Sequence, residues 1–435
     1  MFGIDPYSLP LKLRLKLLGA AIRRRSMTPS GMAEHARRHT AFYRRFYEGH
    51  DTGDFESLPV LEKRHVKDVS PYDLLAEPYR DKVVLYGETT GSTGSPTPAF
   101  YTREEFRSAR VMAFAAPHLD AFRPRRGESR TCLNGLAFGF TIAGMSFGDV
   151  LEAAGGLVAN VGSRSTLATP PRIARAIARL EPAAVAAAPI DFLSWMRIVR
   201  EDYPDRYPQV VAGMKLLLST AELCADSRTR RISEHFGLSH IDVYACVEGF
   251  FTLPCTCGSK HILPAYHVEL FDEDLKLIGR TGTGRLAFTN LVKKSSPLVR
   301  YLLDDWATIR ECDCPLGFRL AVVPHGRYEL NVPLSGQIAN VEQIEECLFR
   351  FGLFGDYRIE IHDDRMELTV EQYTDEPVPA QAISAGFAER FGMVTKVAGV
   401  PFGTITAYRE PRGRKPILKV RDRRSTARQE VPEFL

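Results

Sequence analysis

This 435-residue sequence has no unbroken apolar run of the roughly 20 residues that a membrane-spanning helix needs. Its most apolar basic stretch, LPLKLRLKLLGAAIRRR at 9–25, is interrupted by Lys12, Arg14 and Lys16. The interruptions exclude the continuous apolar core of a secretory signal. The stretch reads as an amphipathic helix packed on its own domain, with a basic helix on a membrane surface as the alternative. A strong charge of either sign is also missing: 57 Lys and Arg against 53 Asp and Glu leave a net +4. With no basic-aromatic recognition motif either, nucleic acid is not expected as a partner. Cysteine is sparse, at eight residues, so a disulfide framework is not the organising principle. Internal repeats and low-complexity tracts are absent. The chain is expected to be cytoplasmic, with two or three domains.

The composition that remains is ordinary for a globular protein, 44% apolar and 25% charged. Residues 1–80 are polar and helical in spacing. Residues 81–325 change to short apolar strands alternating with helices. The strands are SRTCLNGLA, GGLVANVG, AAVAAAP, MKLLLST and HIDVYACVEG. The helices are TPPRIARAIARLEP, ADSRTRRISEHFG and one long TREEFRSARVMAFAAPHLDAF with Thr102 as N-cap and Glu105 three residues on. Such alternation predicts an α/β domain with mixed, mainly parallel sheets and flanking helices. From 326 to 435 the pattern predicts a small α+β domain, with YRIEIHDDRMELTVEQY as two strands and VPAQAISAGFAERFG as a helix.

One loop draws attention for its chemistry. Residues 88–98 read ETTGSTGSPTP and follow the apolar strand KVVLY. Small residues let backbone N–H groups approach phosphate oxygens, and Thr89, Thr90, Ser92 and Thr93 add hydroxyl donors. The loop has neither the Gly-Lys-Ser/Thr ending of a Walker motif nor the dinucleotide glycine spacing. On composition alone a generic turn is the default reading.

Set beside other segments, the loop resembles the Ser/Thr-rich phosphate loop of the adenylate-forming superfamily, in particular the phenylacetate–CoA ligase group. LPVLEK at 58–63 is similar to the family's pre-loop segment, and residues 134–156 to its aromatic, glycine-rich segment. LSTAELCAD at 218–226 resembles the adenine-side Gly/Ala-Glu motif. VYACVEGF at 243–250 resembles Tyr-Gly-x-x-Glu, with Ala245 at the glycine. PLVRYLLDDW at 297–306 resembles Pro-Leu-x-Arg-Tyr ending in Asp. HGRYELNVPLSGQIANVEQIEECL at 325–348 resembles the hinge, glycine loop and following helix.

The resemblance implies a large N-terminal adenylate-forming domain over 1–325 and a small mobile α+β domain over 326–435. It also implies roles. Thr89, Thr90, Gly91, Ser92, Thr93 and Gly94 would hold the ATP phosphates, with Thr90 catalytic. Ala221, Glu222 and Tyr244 would line the nucleotide pocket. Asp305 would accept from the ribose hydroxyls, and Arg327 would sit at the hinge beside them. Glu248 would help hold Mg²⁺. Lys415 would be the catalytic lysine of the tail, with Lys419 as runner-up. Phe138, Phe140 and Ala245 would wall an acyl pocket suited to an aromatic acid, joined by Ile142, Phe192 and Trp195; the alternative for these is ordinary core. The implied reaction forms an acyl-adenylate from ATP and a carboxylic acid, then transfers the acyl group to CoA. An amine or a carrier-protein thiol as acceptor, or a catalytically reduced binding protein, are alternatives, and a homodimer is open. The chain departs from the family at Ser95, where lysine is common, and after Arg327, where acidic residues followed by Arg-Gly and Asn are usual and this chain has Tyr328, Glu329 and Leu330, then Ser335-Gly336 and Ile338.

A second constellation is metal-like. Cys255, Cys257 and His261 lie in one short segment, and Cys312 and Cys314 in another. Thiolate and imidazole suit a closed, tetrahedral, structural zinc site. The expected ligands are Cys255, His261, Cys312 and Cys314, with Cys257 as substitute; free buried thiols are the alternative.

Overall fold

The computed structural model describes residues 9–89, 96–122, 130–163, 165–334, 337–410 and 419–426. Its contacts divide the chain into two units. One comprises Met1–Arg123, Phe138–Gly155 and Val243–Pro324; the other comprises Pro124–Ala137, Gly156–Asp242 and His325–Leu435.

The first unit is built on a seven-stranded sheet. In neighbour order its strands are Leu277–Gly279, Tyr266–Phe271, Gly282–Asn290, Tyr301–Glu311, Leu320–Arg327, Lys260–Ile262 and Thr252–Pro254. The pairings described within it are antiparallel. Aromatic rings fill one side: Phe251 stacks on Phe288 at 5.7 Å, and Phe288 meets Tyr301 edge-on at 5.9 Å. The lead-in helices Pro29–His39 and Ala41–Phe46 start where Thr28 and Thr40 accept N–H bonds from Gly31 and Tyr43.

The strand before the Ser/Thr loop, Val83–Glu88, pairs antiparallel with Pro98–Thr102. The loop is therefore the turn of a hairpin and not a strand-to-helix crossover. The expected long helix after it is broken into Arg103–Phe106, a 3₁₀ turn Arg107–Arg110, Val111–Ala115 and Pro117–Phe122. Pro117 ends the third piece, because it offers no N–H and forces Ala116 into extended backbone. The capping box of Thr102 and Glu105 is present as read from sequence.

The second unit contains a five-stranded parallel sheet ordered Leu157–Asn160, Thr131–Asn134, Ala184–Ala187, Leu216–Ser219, Ser239–Asp242. Four of the five strands fall within segments read as strands from sequence, and the fifth begins one residue before its segment, at Ser239. Helices Pro170–Leu180, Pro189–Asp202 and Asp226–Phe236 cover it. The connections leaving Thr131–Asn134 and Ala184–Ala187 run in opposite directions, which opens a crevice at their carboxyl ends. The same unit holds a four-stranded sheet ordered Val394–Pro401, Arg365–Gln372, Tyr357–Ile361, Val420–Asp422, with helices Val341–Phe349 and Ala380–Phe391. Among the described residues no helix is long and apolar enough to cross a membrane.

At the crevice Gly135 leaves room for the indole of Trp195: a Cβ there would lie 2.3 Å from Trp195 Cη2. Phe192 and Trp195 are buried in this unit's core cluster, the ordinary-core alternative of the sequence reading. Gly135→Ala is expected to destabilise the chain by about 1–3 kcal/mol. Pairing it with Trp195→Phe should recover part of that loss. Urea unfolding of the single and double variants checks both.

Candidate functional site

The first unit gathers Glu248, Tyr301, Thr97 and Thr89. The strand Tyr301–Glu311 begins with a buried phenol whose hydroxyl donates to Glu248 Oε1 at 2.6 Å. The same hydroxyl lies 2.9 Å from Thr97 Oγ1. A phenol has one proton, and it goes to the carboxylate, which only accepts, so Thr97 donates to the phenol oxygen. Thr97 N donates to Thr89 Oγ1 at 2.8 Å, and Thr89 N to Thr97 O at 3.1 Å, which closes the neck of the Ser/Thr loop. Thr90, Gly91, Ser92, Thr93 and Gly94 lie outside the described residues. Gly87, just before the loop, packs so closely that a Cβ would sit 2.7 Å from Ile142 Cγ2. Glu88 N donates to Phe140 O at 2.9 Å, joining the loop's strand to the aromatic segment.

Glu248 is only 2% exposed and sits in a turn closed by Cys246 N to Gly249 O and Gly249 N to Cys246 O, both 3.2 Å. Burial pushes the Cys246 thiol and the Tyr301 phenol well above their usual ranges, and Glu248 adds to both effects. Each stays protonated at neutral pH, as the geometry of donation requires.

Tyr244 and Asp305 also meet. The Tyr244 hydroxyl donates to Asp305 Oδ2 at 2.7 Å. Asp305 is presented by a bulge: Ala287 faces Leu302 and Arg285 faces Trp306, so Leu286 alone opposes residues 303–305. The neighbouring Asp304 has φ +60° and is engaged by Lys63 at 2.9 Å and Arg285 at 3.7 Å. The two acids are thus separated in role: Asp304 is ion-paired and Asp305 is bonded to Tyr244. Phe138 and Phe140 are 42% and 67% exposed, and Ala245 is half-buried.

The motif arginine has a different use. Arg300 is 2% exposed and pairs with Glu269 at 3.0 Å. It also donates to the carbonyls of Phe55, Glu56 and Leu58. It anchors the segment leading into LPVLEK and holds the start of Tyr301's strand.

In the second unit, Ala221 follows the strand Leu216–Ser219 with φ +76°, backbone that an alanine rarely adopts. Glu222 Oε1 accepts from Ile190 N at 3.2 Å and from Arg228 at 3.1 Å. Glu222 Oε2 is buried with no hydrogen-bond partner among the described residues. Arg228, fully buried, also lies 3.8 Å from Glu345 and donates to Phe354 O and Gly355 O, each at 3.3 Å. Glu345 accepts from Lys419 at 2.9 Å and from Ala225 N at 2.9 Å. Burial works against the charge on Lys419, but Glu345, with Glu222 and Asp356 behind it, raises the ammonium above its ordinary value. Lys419 is thus placed in an ion-pair network. Lys415 lies outside the described residues. Arg327 ends the strand Leu320–Arg327 after Gly326, which has φ +106°. No local signal marked Arg228: Glu222 is near in sequence, but Glu345, Phe354 O and Gly355 O are more than a hundred residues away.

Cys255, Cys257, His261 and Cys314 bring ligand atoms within 4.8 Å of one another. Cys255 and Cys314 are 3.8 Å apart at sulfur, and Cys257 Sγ is 3.2 Å from His261 Nε2. Cys257 thus takes the place expected for Cys312, which lies 3.5 Å from the other ring nitrogen, Nδ1. Nδ1 also faces Leu320 O at 3.4 Å, so that it carries the proton and Nε2 offers its lone pair. Three sulfurs and one imidazole nitrogen are a donor set that fits zinc.

No family model matches the sequence. The chain is 27% identical over 301 residues to the phenylacetate-coenzyme A ligase of Thermus thermophilus, covering 63% of this chain and 62% of that protein. It thus spans less than two thirds of that relative's length. Among solved structures, 2-hydroxyisobutyryl-CoA ligase in complex with 2-HIB-AMP superposes with a TM-score of 0.73 at 19% identity, covering 93% of this chain and 89% of that one. The acyl acid amido synthetase AtGH3.15 superposes with a TM-score of 0.61 at 12% identity, covering 94% and 92%.

Removing Arg228 would leave Glu222 and Glu345 buried without their shared cation. Arg228→Ala is expected to cost about 3–5 kcal/mol. Arg228→Met with Glu222→Gln should cost much less, since Glu222 then carries no charge and Glu345 keeps Lys419 as its partner. Denaturant midpoints measure the difference.

The chain has the α/β fold of the adenylate-forming ligases and resembles, among them, the phenylacetate-coenzyme A ligases.

Proposed function

We propose that this protein uses ATP and Mg²⁺ to convert a carboxylic acid, of aromatic type, to an acyl-adenylate, and then passes the acyl group to CoA. The observation that carries the reading is the hydrogen-bonded chain from Thr97 through Tyr301 to Glu248, at the neck of the Ser/Thr loop. It sits in the same unit as the Tyr244–Asp305 pair. The sequence likeness to phenylacetate-coenzyme A ligase supports it.

In this reading an oxygen of the acid attacks the α-phosphorus of ATP. The bond from that phosphorus to the β-bridging oxygen breaks, and pyrophosphate leaves with the electron pair. Bound Mg²⁺ supplies charge neutralisation on the phosphate oxygens. Glu248 would be its protein ligand, oriented by the Tyr301 phenol. Thr89 to Gly94 would donate to the phosphates, and Asp305 would accept from the ribose. The unpaired oxygen of Glu222 suits a nucleobase amine. A lysine of the tail, Lys415, would offset charge at the α-phosphate. Phe138, Phe140 and Ala245 would meet the acid. Residues 326–435 would act as the moving domain that brings in the acceptor. A second reading replaces CoA by an amine, which the shared fold with an acyl acid amido synthetase favours.

Glu248→Ala is expected to abolish acid-dependent pyrophosphate release. Lys415→Ala should reduce it more strongly than Lys419→Ala, whose main effect should be on stability. A screen of aromatic and aliphatic acids, with CoA or an amine added and the product identified as thioester or amide, decides the acceptor. Pyrophosphate release with no dependence on Glu248 would refute the site.

The thiol–imidazole group is proposed as a structural zinc site of Cys255, Cys257, His261 and Cys314. Protein purified without chelator should contain about one zinc per chain. Chelation should lower the melting temperature. Cys257→Ser should lose the metal and Cys312→Ser should keep it.

A further inference from the structure

One charged side chain beside this site has no part in the reaction as described. Lys293 is 3% exposed, and its ammonium has no hydrogen-bond partner among the described residues. A solvated lysine would need no explanation; a buried, unbonded ammonium does, since an apolar side chain would fill the space without desolvating a charge. Its backbone is fixed from both sides. Asn290 Oδ1 accepts N–H bonds from Val292 and Lys293, each at 3.0 Å. Glu105 Oε1 accepts those of Lys294 at 2.9 Å and Ser295 at 3.0 Å.

So held, Lys293 places its Nζ 3.9 Å from the centroid of the Tyr101 ring. This is close for a cation over an aromatic face, and water is excluded, the setting in which the attraction is strongest. The Tyr101 hydroxyl in turn donates to the carbonyl of Val247. Val247 lies inside the closed turn from Cys246 to Gly249, immediately before Glu248. Glu105 and Glu248 favour the charged form of the lysine, against burial, which lowers its pKa to about 8.

We propose that Lys293 is a positioning residue for the nucleotide–metal site: docked on Tyr101, it fixes the phenol that holds the Val247 carbonyl, and thereby the turn that presents Glu248. This inference rests on the reading of Glu248 as a magnesium ligand, and it adds a residue that the reading does not use.

The test is a double-mutant cycle on the full chain with Lys293→Met and Tyr101→Phe. The first removes the cation and keeps most of the volume; the second removes the hydroxyl and keeps the ring. Calorimetric titration with ATP, at several Mg²⁺ concentrations, needs no knowledge of the acid. Each single variant should weaken Mg²⁺-dependent ATP binding by roughly five- to thirtyfold, the range of a desolvated cation–π contact. ATP binding without Mg²⁺ should be nearly unchanged. The double variant should be no worse than the weaker single one, because both act through one carbonyl. Lys293→Arg, which restores a cation over the ring, should recover part of the loss. Variants that melt early but bind Mg²⁺ and ATP as the parent does would overturn the inference and leave the function intact. Effects that simply add would overturn it too. A parent chain that binds no ATP would instead refute the proposed function, and this inference with it.

Discussion

The hydroxyl of Tyr301 is the point at which the first unit's buried polar contacts converge. It is fixed from behind by the antiparallel sheet and from one side by Arg300, whose guanidinium is spent on Glu269 and three carbonyls. What remains for Tyr301 is to give one proton to Glu248 and to accept one from Thr97. A carboxylate with 2% exposure cannot be left without a donor. That requirement ties the acidic turn and the neck of the Ser/Thr loop to one strand of the sheet. Neighbouring residues of one motif therefore serve opposite ends: Arg300 braces scaffold to scaffold, and Tyr301 braces scaffold to site.

Buried charge is handled differently in the second unit. Arg228, Glu222, Glu345 and Lys419 form a connected set in which carbonyls and backbone N–H groups complete the coordination of the ions. Such a set gains little over a well-packed apolar core, but removing one member leaves the others stranded. It joins the residue after Ala221 to the helix Val341–Phe349.

How much of this was visible beforehand depended on the range of each interaction. The five parallel strands and their helices were legible because apolar runs of strand length alternate with helical spacing, a local signal. The Thr102–Glu105 cap was legible for the same reason. The hairpin around the Ser/Thr loop was not, because a strand followed by glycines looks alike whether it turns back or crosses over. The broken helix after Thr102 was hidden by good helical spacing, although Pro117 was in plain view. For the site, the order of motifs identified Glu248, Asp305 and Glu222 as residues to watch. Other residues were out of reach: Arg228 meets Glu345 across more than a hundred residues of chain, and Lys293 in a Lys-Lys pair reads as a solvated surface. The thiol–imidazole group was found by residue type, but choosing between Cys257 and Cys312 needed the direction of His261's two nitrogens.

The bulge at residues 303–305 adds two residues to its strand relative to the neighbour. Side chains alternate with a period of two, so an insertion of two restores the facing pattern on either side of it. Leu302 and Trp306 keep the paired register on either side, Leu303 stays buried, and Asp304 and Asp305, both half-buried, are released from that register. Substitution or drift in the bulge can therefore re-aim or replace Asp305 without repacking the sheet. The corner that carries Asp305 can thus vary while the sheet on either side keeps its pairing.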